Sequence, residues 1–297
     1  MHQEEEALAW LARRLGQGPP GQTWVGDDAA VVPAAGTQLL LAADAVVGGV
    51  HADLNLVGLH DVGWKSVSAA VSDMAAMGGR PTHLLVTAAL PPDTDLAQLF
   101  EGITAAAAVY GSPVVGGDLV SAPVLMVSVA VTGAAARPVL RSGARPGHRV
   151  WVTGALGASA AGLRALRAGE TAGPLVDAHR RPVALIAAGE AAAVAGASAM
   201  IDLSDGLALD AHRLARASSV GMDLDVVPRA VGATPEEAVS GGEDYQLLFS
   251  APADADVEGR FAAGGQPPPL LIGACTDQPG IRLEGSPLAP AGWQHSW

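Results

Sequence analysis

The chain of 297 residues contains a single lysine, Lys65, and no glycine loop of the GxxxxGK[ST] type. A P-loop nucleotide site needs such a lysine beside the phosphates of its ligand, so this class of kinase is excluded. The motifs that mark protein kinases are also missing. If the protein handles ATP, divalent cations and arginines such as Arg141 have to supply the positive charge.

Cysteine, basic residues and long apolar runs are scarce too. Cys275 is the one cysteine, so neither a disulfide within the chain nor a cysteine metal site is possible. The net charge of −13 predicts no nucleic-acid partner, because a phosphate backbone needs a basic face. Apolar stretches are broken before they reach membrane-spanning length, and the first ten residues lack the apolar core of a signal peptide. We therefore expect a cytoplasmic protein with no membrane partner.

Hydrophobic spacing predicts strands alternating with helices in both halves of the chain, which is typical of the α/β or α+β class. The predicted helices cover residues 3–15, 62–77, 96–110, 182–195 and 207–217, with an alanine-rich helix after Gly157. The predicted strands cover residues 38–43, 83–90, 114–117, 124–132, 149–153, 200–201, 222–227, 245–250 and 270–273. Residues 134–149 are rich in Arg, Pro and Gly and indicate a domain boundary.

Aspartates recur beside glycines where hydrophobic runs end. Carboxylates gathered in this way repel one another unless cations neutralise them, and hard oxygen ligands favour Mg²⁺ or Ca²⁺. The pattern predicts a site for several Mg²⁺ ions and a polyphosphate. The aspartates are Asp27, Asp28, Asp44, Asp73, Asp118, Asp202 and Asp205.

Each of these motifs also has a purely structural explanation. Adjacent side chains of residues 27–28 point to opposite sides, so one carboxylate can bind a metal while the other orients a loop, or both are turn aspartates. Ser204 or Asp205 can cap the helix that follows. The glycines of residues 116–118, placed directly after a strand, suit either a phosphate contact or a β-bulge.

Taken in order, GDDAAVV, ADAVVGGVH, SDMAAMGGRP, VVGGDL, DLSDG, GGEDYQLLF and GWQHSW resemble the thiamine-monophosphate kinases of the aminoimidazole ribonucleotide synthetase superfamily. The resemblance covers nearly the whole chain. It implies a two-domain α/β (α+β) fold: residues 1–136 bind ATP and Mg²⁺ and form a dimer through a barrel of paired sheets, and residues 137–297 form a C-terminal α/β domain. The implied activity is ATP-dependent phosphorylation of thiamine monophosphate to thiamine diphosphate, in thiamine biosynthesis, by a cytoplasmic homodimer.

The resemblance also implies roles for single residues. Asp73, Asp118 and Asp205 are expected to be catalytic. The implied Mg²⁺ ligands are Asp28, Asp44, Asp73, Asp118, Asp202 and Asp205; the implied ATP contacts are Tyr110, Gly117, Asp118, Arg141 and Ser204; the implied substrate contacts are His51, Glu243 and Trp293.

Two positions depart from the family pattern. Ala42 and Ala43 precede Asp44 where the family carries Ser or Thr, and Leu119 and Val120 follow Asp118 where it carries Thr. At least one metal is therefore expected to be held through water or backbone, or more weakly. These departures also favour one alternative, a non-catalytic sensor of nucleotide or thiamine phosphate.

The implied reaction needs no strong general base, because the attacking phosphate oxygen is already anionic near neutral pH. We expect direct in-line transfer without a phosphoenzyme. A second alternative keeps the superfamily and changes the substrate to that of another ATP-dependent synthetase. A third, an acidic structural protein that binds Ca²⁺, explains GGEDYQLLF poorly.

Overall fold

The structure, a computed structural model, describes Glu6, Arg13 and residues 19–24, 26–34 and 36–295. The helix predicted over residues 3–15 lies outside the described residues, apart from Glu6 and Arg13. The described chain is built on two separate sheets, one of five strands and one of seven. None of the helices in the described ranges combines the length and apolar content that a membrane span requires.

The five-stranded sheet belongs to the N-terminal half and has the order β1-β2-β5-β3-β4. Its strands are β1 (Ala30–Ala34), β2 (Thr37–Val47), β3 (Arg80–Leu90), β4 (Val114–Ser121) and β5 (Met126–Ala135). Only β3 and β4 pair in parallel. Helix α1 (Leu59–Ala76) covers one face of the sheet, and α2 (Leu96–Val109) packs against α1. Val127, Val129 and Val131 of β5 are buried under α1, so alternate residues of β5 face the helix.

The seven-stranded sheet belongs to the C-terminal half and has the order β12-β11-β8-β10-β6-β9-β7. Its strands are β6 (Arg149–Val152), β7 (Ala199–Asp202), β8 (Gly221–Leu224), β9 (Leu247–Ala251), β10 (Leu270–Thr276), β11 (Ile281–Leu283) and β12 (Ser286–Pro287). The helices are α3 (Ala158–Arg167), α4 (Pro174–Arg180), α5 (Ile186–Val194), α6 (Leu207–Ser218), α7 (Pro235–Ser240) and α8 (Val257–Ala263). Helix α6 packs in one core, and α5 and α8 share a second core with the end of α1. Helix α1 therefore contacts both halves.

The alternation of strands and helices predicted from the sequence is confirmed between residues 62 and 276, with corrections at several ends. The helix predicted from residue 182 begins only at Ile186, because tertiary hydrogen bonds hold the preceding residues: Trp64 Nε1 donates to the Pro182 carbonyl, and Ala184 N donates to the Tyr110 hydroxyl. Strands β2 and β4 are longer than predicted, so Asp44 and Asp118 lie inside strands and not after them. The elements β1, α4, α7, α8, β11 and β12 are additional to those predicted.

Candidate active site

Three carboxylates from distant parts of the chain meet where α1 contacts the C-terminal half. Asp28 precedes β1, Asp73 lies near the end of α1, and Asp202 ends β7. One oxygen of each lies within 4.8 Å of the others. The predicted helix over residues 62–77 placed Asp73 correctly near its end, and the two-core packing of α1 brings it to Asp202. This part of the predicted convergence of aspartates is confirmed.

Arg141 is the cation that accompanies this cluster. Its Nε and Nη2 donate to the two carboxylate oxygens of Asp28 at 3.0 and 2.8 Å, and its backbone N–H donates to Asp27 at 3.0 Å. Burial raises the pKa of Asp27 to about 6, and the neighbouring charge of Asp28 adds to the rise. Asp27 thus holds the backbone of a loop while Asp28 joins the cluster, which agrees with one of the two interpretations that the sequence leaves open. Arg141, predicted to contact ATP, is engaged with Asp28 here.

The carboxylates of Asp73 and Asp202 lie close together although their negative charges repel each other. Burial raises the pKa of Asp73 well above its usual range, and the charges of Asp202 and Asp28 raise it further. Burial and the charge of Asp28 do the same to Asp202, although Ser72 Oγ donates to its Oδ2 at 2.6 Å. Oxygen donors that are crowded and short of positive charge suit a hard divalent cation. These residues therefore fit Mg²⁺.

Side chains of helix α6 hold the loop between β7 and α6 in place. Ser204 and Asp205 were possible caps of α6, but neither has that role: Gly206 is the N-cap, with φ of 119°, and no side-chain hydrogen bond caps the helix. Asp210, one turn into the helix, instead accepts from the N–H groups of Asp205 and Gly206 at 3.0 and 3.1 Å. Arg213 contacts both Asp205 and Asp210, which fixes the Asp205 carboxylate at the cavity described next.

A cavity of about 650 Å³ opens between the two halves. The carboxylate of Asp44 borders it; desolvation raises the pKa of Asp44, and the charges of Asp205 and Glu243 add to the rise. Arg167 and His179 border it from the C-terminal half. The predicted site residues that line this cavity together are Asp44, His51, Ser204, Asp205, Glu243 and Trp293.

Three aromatic rings form one wall of the cavity. The ring centroids of His51 and Trp293 are 5.2 Å apart, and those of Trp293 and His295 are 4.2 Å apart, edge to face. The backbone N–H of Trp293 donates to the Asp205 carbonyl at 3.0 Å, and the Val47 N–H donates to His51 Nδ1 at 3.0 Å. The first bond fixes the backbone that carries Trp293, and the second holds the His51 ring itself. A π-rich wall of this kind suits a flat or cationic heteroaromatic ring.

The segment that carries Glu243 is strained. Glu243 and Tyr245 have positive φ values of 65° and 48°, a conformation that costs on the order of 1–3 kcal/mol for each residue without a glycine. Their N–H groups donate to the carbonyls of Ser204 and Leu203 at 2.7 and 3.0 Å. These bonds hold the segment against the loop after β7. Strain of this kind is found where a site requires a fixed side chain.

Three predicted residues lie elsewhere in the described chain. Asp118 is exposed on the edge strand β4. Across the sheet, Asp118, Thr87 and Ala45 lie in one row of paired residues, whereas Asp44 and Val129 lie in the adjacent row. Adjacent rows point to opposite faces of a sheet, so Asp118 and Asp44 face opposite sides. Gly117 lies in the row of Asp44 but at the far strand. Tyr110 is bonded to Ser68 and Ala184 and does not line the cavity.

Lys65, His179, Arg213 and His295 were not among the predicted site residues. Ser72 and Asp73 lie seven and eight residues after Lys65, a spacing that places the three residues on one face of a helix. That spacing, in a chain with a single lysine, was available from the sequence. His295 stands two residues after Trp293 in the GWQHSW motif, so its place at the site was also available from the sequence. His179 and Arg213 have no comparable signal, because only the fold brings His179 to the cavity and Arg213 to Asp205.

Comparison with known proteins agrees with this architecture. Residues 26–135 match the family model of the AIR synthase related protein N-terminal domain, and residues 145–285 match that of the C-terminal domain. The fold and these matches thus define a two-domain AIR synthase related protein: the first match covers the five-stranded sheet, and the second covers the seven-stranded sheet except β12.

Comparison with individual relatives identifies the family to which the chain belongs within this class. The thiamine-monophosphate kinase of Aquifex aeolicus (strain VF5) is 35% identical over 295 residues, covering 91% of this chain and 92% of the relative. That of Halobacterium salinarum is 39% identical over 80% of this chain and 84% of the relative. The chain belongs to the thiamine-monophosphate kinase family. The solved structure of AaThiL complexed with AMPPCP and TMP matches it with a TM-score of 0.88 and 32% identity, covering 99% of this chain and 97% of that one.

Proposed function

We propose that this protein transfers a phosphoryl group from ATP to thiamine monophosphate and so forms thiamine diphosphate. The observation that carries the proposal is the juxtaposition of two sites at the junction of the two halves. One is the cluster of Asp28, Asp73 and Asp202, and the other is the cavity with an aromatic wall. A relative of the same fold was solved with AMPPCP and TMP, which supports an ATP-like ligand and a thiamine phosphate as its occupants.

The acidic residues divide into two groups in this proposal. Asp28, Asp73 and Asp202 would hold Mg²⁺ as a cluster, and Asp44 and Asp205 would hold it at the cavity. Bound Mg²⁺ neutralises the repulsion between two phosphate chains and favours in-line geometry. The roles predicted for Tyr110, Gly117 and Asp118 stay predictions, because these residues lie away from the cavity.

The chain's own residues then orient the reactants. His51, Trp293 and His295 offer their rings to the thiamine heterocycles, while Arg213 keeps the Asp205 carboxylate at the cavity. No residue has to accept a proton, because the attacking phosphate oxygen is anionic near neutral pH. We therefore propose direct transfer, and a quenched reaction with labelled ATP should contain no phosphorylated protein.

The decisive measurement is product analysis of the purified protein with ATP, Mg²⁺ and thiamine monophosphate. We expect ADP and thiamine diphosphate in equal amounts, and about 10³-fold slower formation of both with Asp73→Asn. Release of ADP without thiamine diphosphate would point to another synthetase of the superfamily. Binding of both ligands without turnover at saturating Mg²⁺ would identify a sensor.

We also propose a homodimer formed through the N-terminal sheet. The face of this sheet opposite α1 and its edge strand β4 expose apolar side chains: Leu85, Val115, Leu119 and Val120 are between 46 and 58% exposed. An apolar sheet face and an open edge call for a partner. Sedimentation should give a mass near twice 29.7 kDa, and Leu85→Glu should shift it toward the monomer. A wild-type monomer at micromolar concentration would refute the dimer.

The boundary between two domains after residue 136 and the cytoplasmic location of the protein stay predictions.

A further inference from the structure

The only lysine of the chain is buried between the two halves. Lys65 lies on α1 and is 2% exposed, and its Nζ is 2.7 Å from Oε2 of Glu243. The partner belongs to the strained segment before β9 in the other half of the chain. A buried ammonium group is costly unless it has a purpose-built anionic partner, and Glu243 is that partner. Lys65 itself is not among the residues that line the cavity.

The second polar contact of Glu243 ends on the same oxygen. His179, on α4, places Nδ1 3.5 Å from Glu243 Oε2 and 3.1 Å from Ser159 Oγ. Burial lowers the pKa of His179 to about 3, and the charge of Lys65 adds to the fall, so the imidazole is neutral. Among the described residues, both polar contacts of the Glu243 carboxylate therefore go to Oε2. Oε1 is left for a ligand, and Glu243 lines the cavity.

The pairing changes what the carboxylate can recognise. A bare carboxylate attracts any cation, but one whose charge is offset by a buried ammonium acts mainly as a directional hydrogen-bond acceptor. The aromatic wall of His51, Trp293 and His295 borders the same cavity and already suits a cationic ring. Glu243 is thus free for a different task, the acceptance of an N–H donor carried by a heteroaromatic ring.

We propose that Lys65 is a positioning residue: it fixes Glu243 so that Oε1 accepts a hydrogen bond from the ring amino group of thiamine monophosphate, which makes that amino group a requirement for binding. This inference rests on the proposed function, and it adds a specificity determinant that acts through Glu243 without touching the substrate. His179, whose Nδ1 also contacts Ser159 Oγ, lies against the same carboxylate oxygen as Lys65.

The test compares thiamine monophosphate with an analogue whose ring amino group is replaced by oxygen. For the wild type we expect the replacement to lower kcat/KM by about 100-fold, because a site built around an N–H donor rejects a ligand without one. Lys65→Met should raise KM for thiamine monophosphate by about 10-fold or more, leave KM for ATP within about twofold, and reduce the discrimination between the two substrates to about 10-fold or less.

A double-mutant cycle shows whether the effect passes through Glu243. In the Glu243→Gln background, Lys65→Met should change KM for thiamine monophosphate by no more than about twofold. The matched control is Arg181→Met, which removes another ion pair between α1 and the C-terminal half, at 2.7 Å from Asp61, and does not border the cavity. It should preserve the discrimination. If Lys65→Met does not fold, Lys65→Gln, which keeps a donor for Oε2, takes its place with an intermediate loss expected.

Equal rises in both KM values, or unchanged discrimination in Lys65→Met, would overturn the proposal. Failure of the wild type to phosphorylate thiamine monophosphate is a separate result that refutes the proposed function. In that case calorimetric binding of thiamine monophosphate and its analogue to the wild type and to Lys65→Met still decides the role of Lys65. Equal affinity of the wild type for both ligands would then reject it.

Discussion

Asp73→Asn is expected to lower turnover of thiamine monophosphate by about 10³-fold while making the metal-free protein more stable. The loss corresponds to about 4 kcal/mol of transition-state stabilisation. It is expected because Asp73 belongs to the cluster with Asp28 and Asp202, and a neutral amide is a poor ligand for a hard divalent cation.

The gain in stability has the opposite cause. Burial and the charges of Asp202 and Asp28 already disfavour the ionised form of Asp73, so removing its charge relieves repulsion that the metal-free protein has to bear. We expect the free energy of unfolding without metal to rise by about 1–2 kcal/mol, or the melting temperature by about 2–4 °C. Saturating Mg²⁺ should raise the melting temperature of the wild type and have much less effect on the variant.

Thermal unfolding with chelator and with Mg²⁺, beside steady-state kinetics, checks both parts. Asp223→Asn is the matched control, because Asp223 is a half-exposed carboxylate on β8 whose partner is Arg282, outside the cluster. It should leave turnover and the Mg²⁺ response unchanged within about twofold. An Asp73→Asn variant that is both less stable without metal and fully active would show that the cluster is an ordinary structural feature.

The local secondary structure around Asp73 could be predicted from the sequence. Trp64, Val67, Val71 and Met74 recur at spacings of three and four, so α1 and the place of Asp73 near its end could be predicted from periodicity alone. The two apolar residues 200–201 also indicated a strand, which ends at Asp202. Elements with a regular apolar period are determined by their own residues.

The parts that could not be predicted depend on distant contacts. The sheet faces on which Asp44 and Asp118 lie are set by the pairing of β2 with β5, of β5 with β3 and of β3 with β4. None of these pairings can be predicted from the residues of a single strand. The cap of α6 was also missed, because Asp210 can replace a conventional cap only when its side chain turns inward to the loop. Lys65 was conspicuous in the composition, but its partner Glu243 lies 178 residues away.

The contact between the two halves leads to the second large effect, expected at Gly189 of α5. A Cβ at this position would lie 2.1 Å from the carbonyl oxygen of Ala75 on α1, so Gly189→Ala has to move the two helices apart by about 1 Å. We expect the free energy of unfolding to fall by about 3 kcal/mol, because neither a helix backbone nor a packed core gives way cheaply.

The displacement should also reach the active site. Ala75 is two residues beyond Asp73 on α1, and α5 leads into β7 with Asp202, so parting these helices changes the spacing between the two carboxylates. A misplacement of about 1 Å can cost about 10²-fold in rate, and we expect a loss of that size in turnover, measured well below the lowered melting temperature. The matched control is Gly264→Ala at the end of α8, where the nearest atom to a new Cβ is 3.4 Å away and stability should change by less than about 0.5 kcal/mol. If Gly189→Ala loses stability and keeps full turnover, the spacing of the halves does not set the geometry of the cluster; if it loses neither, α5 and α1 do not approach as closely as described.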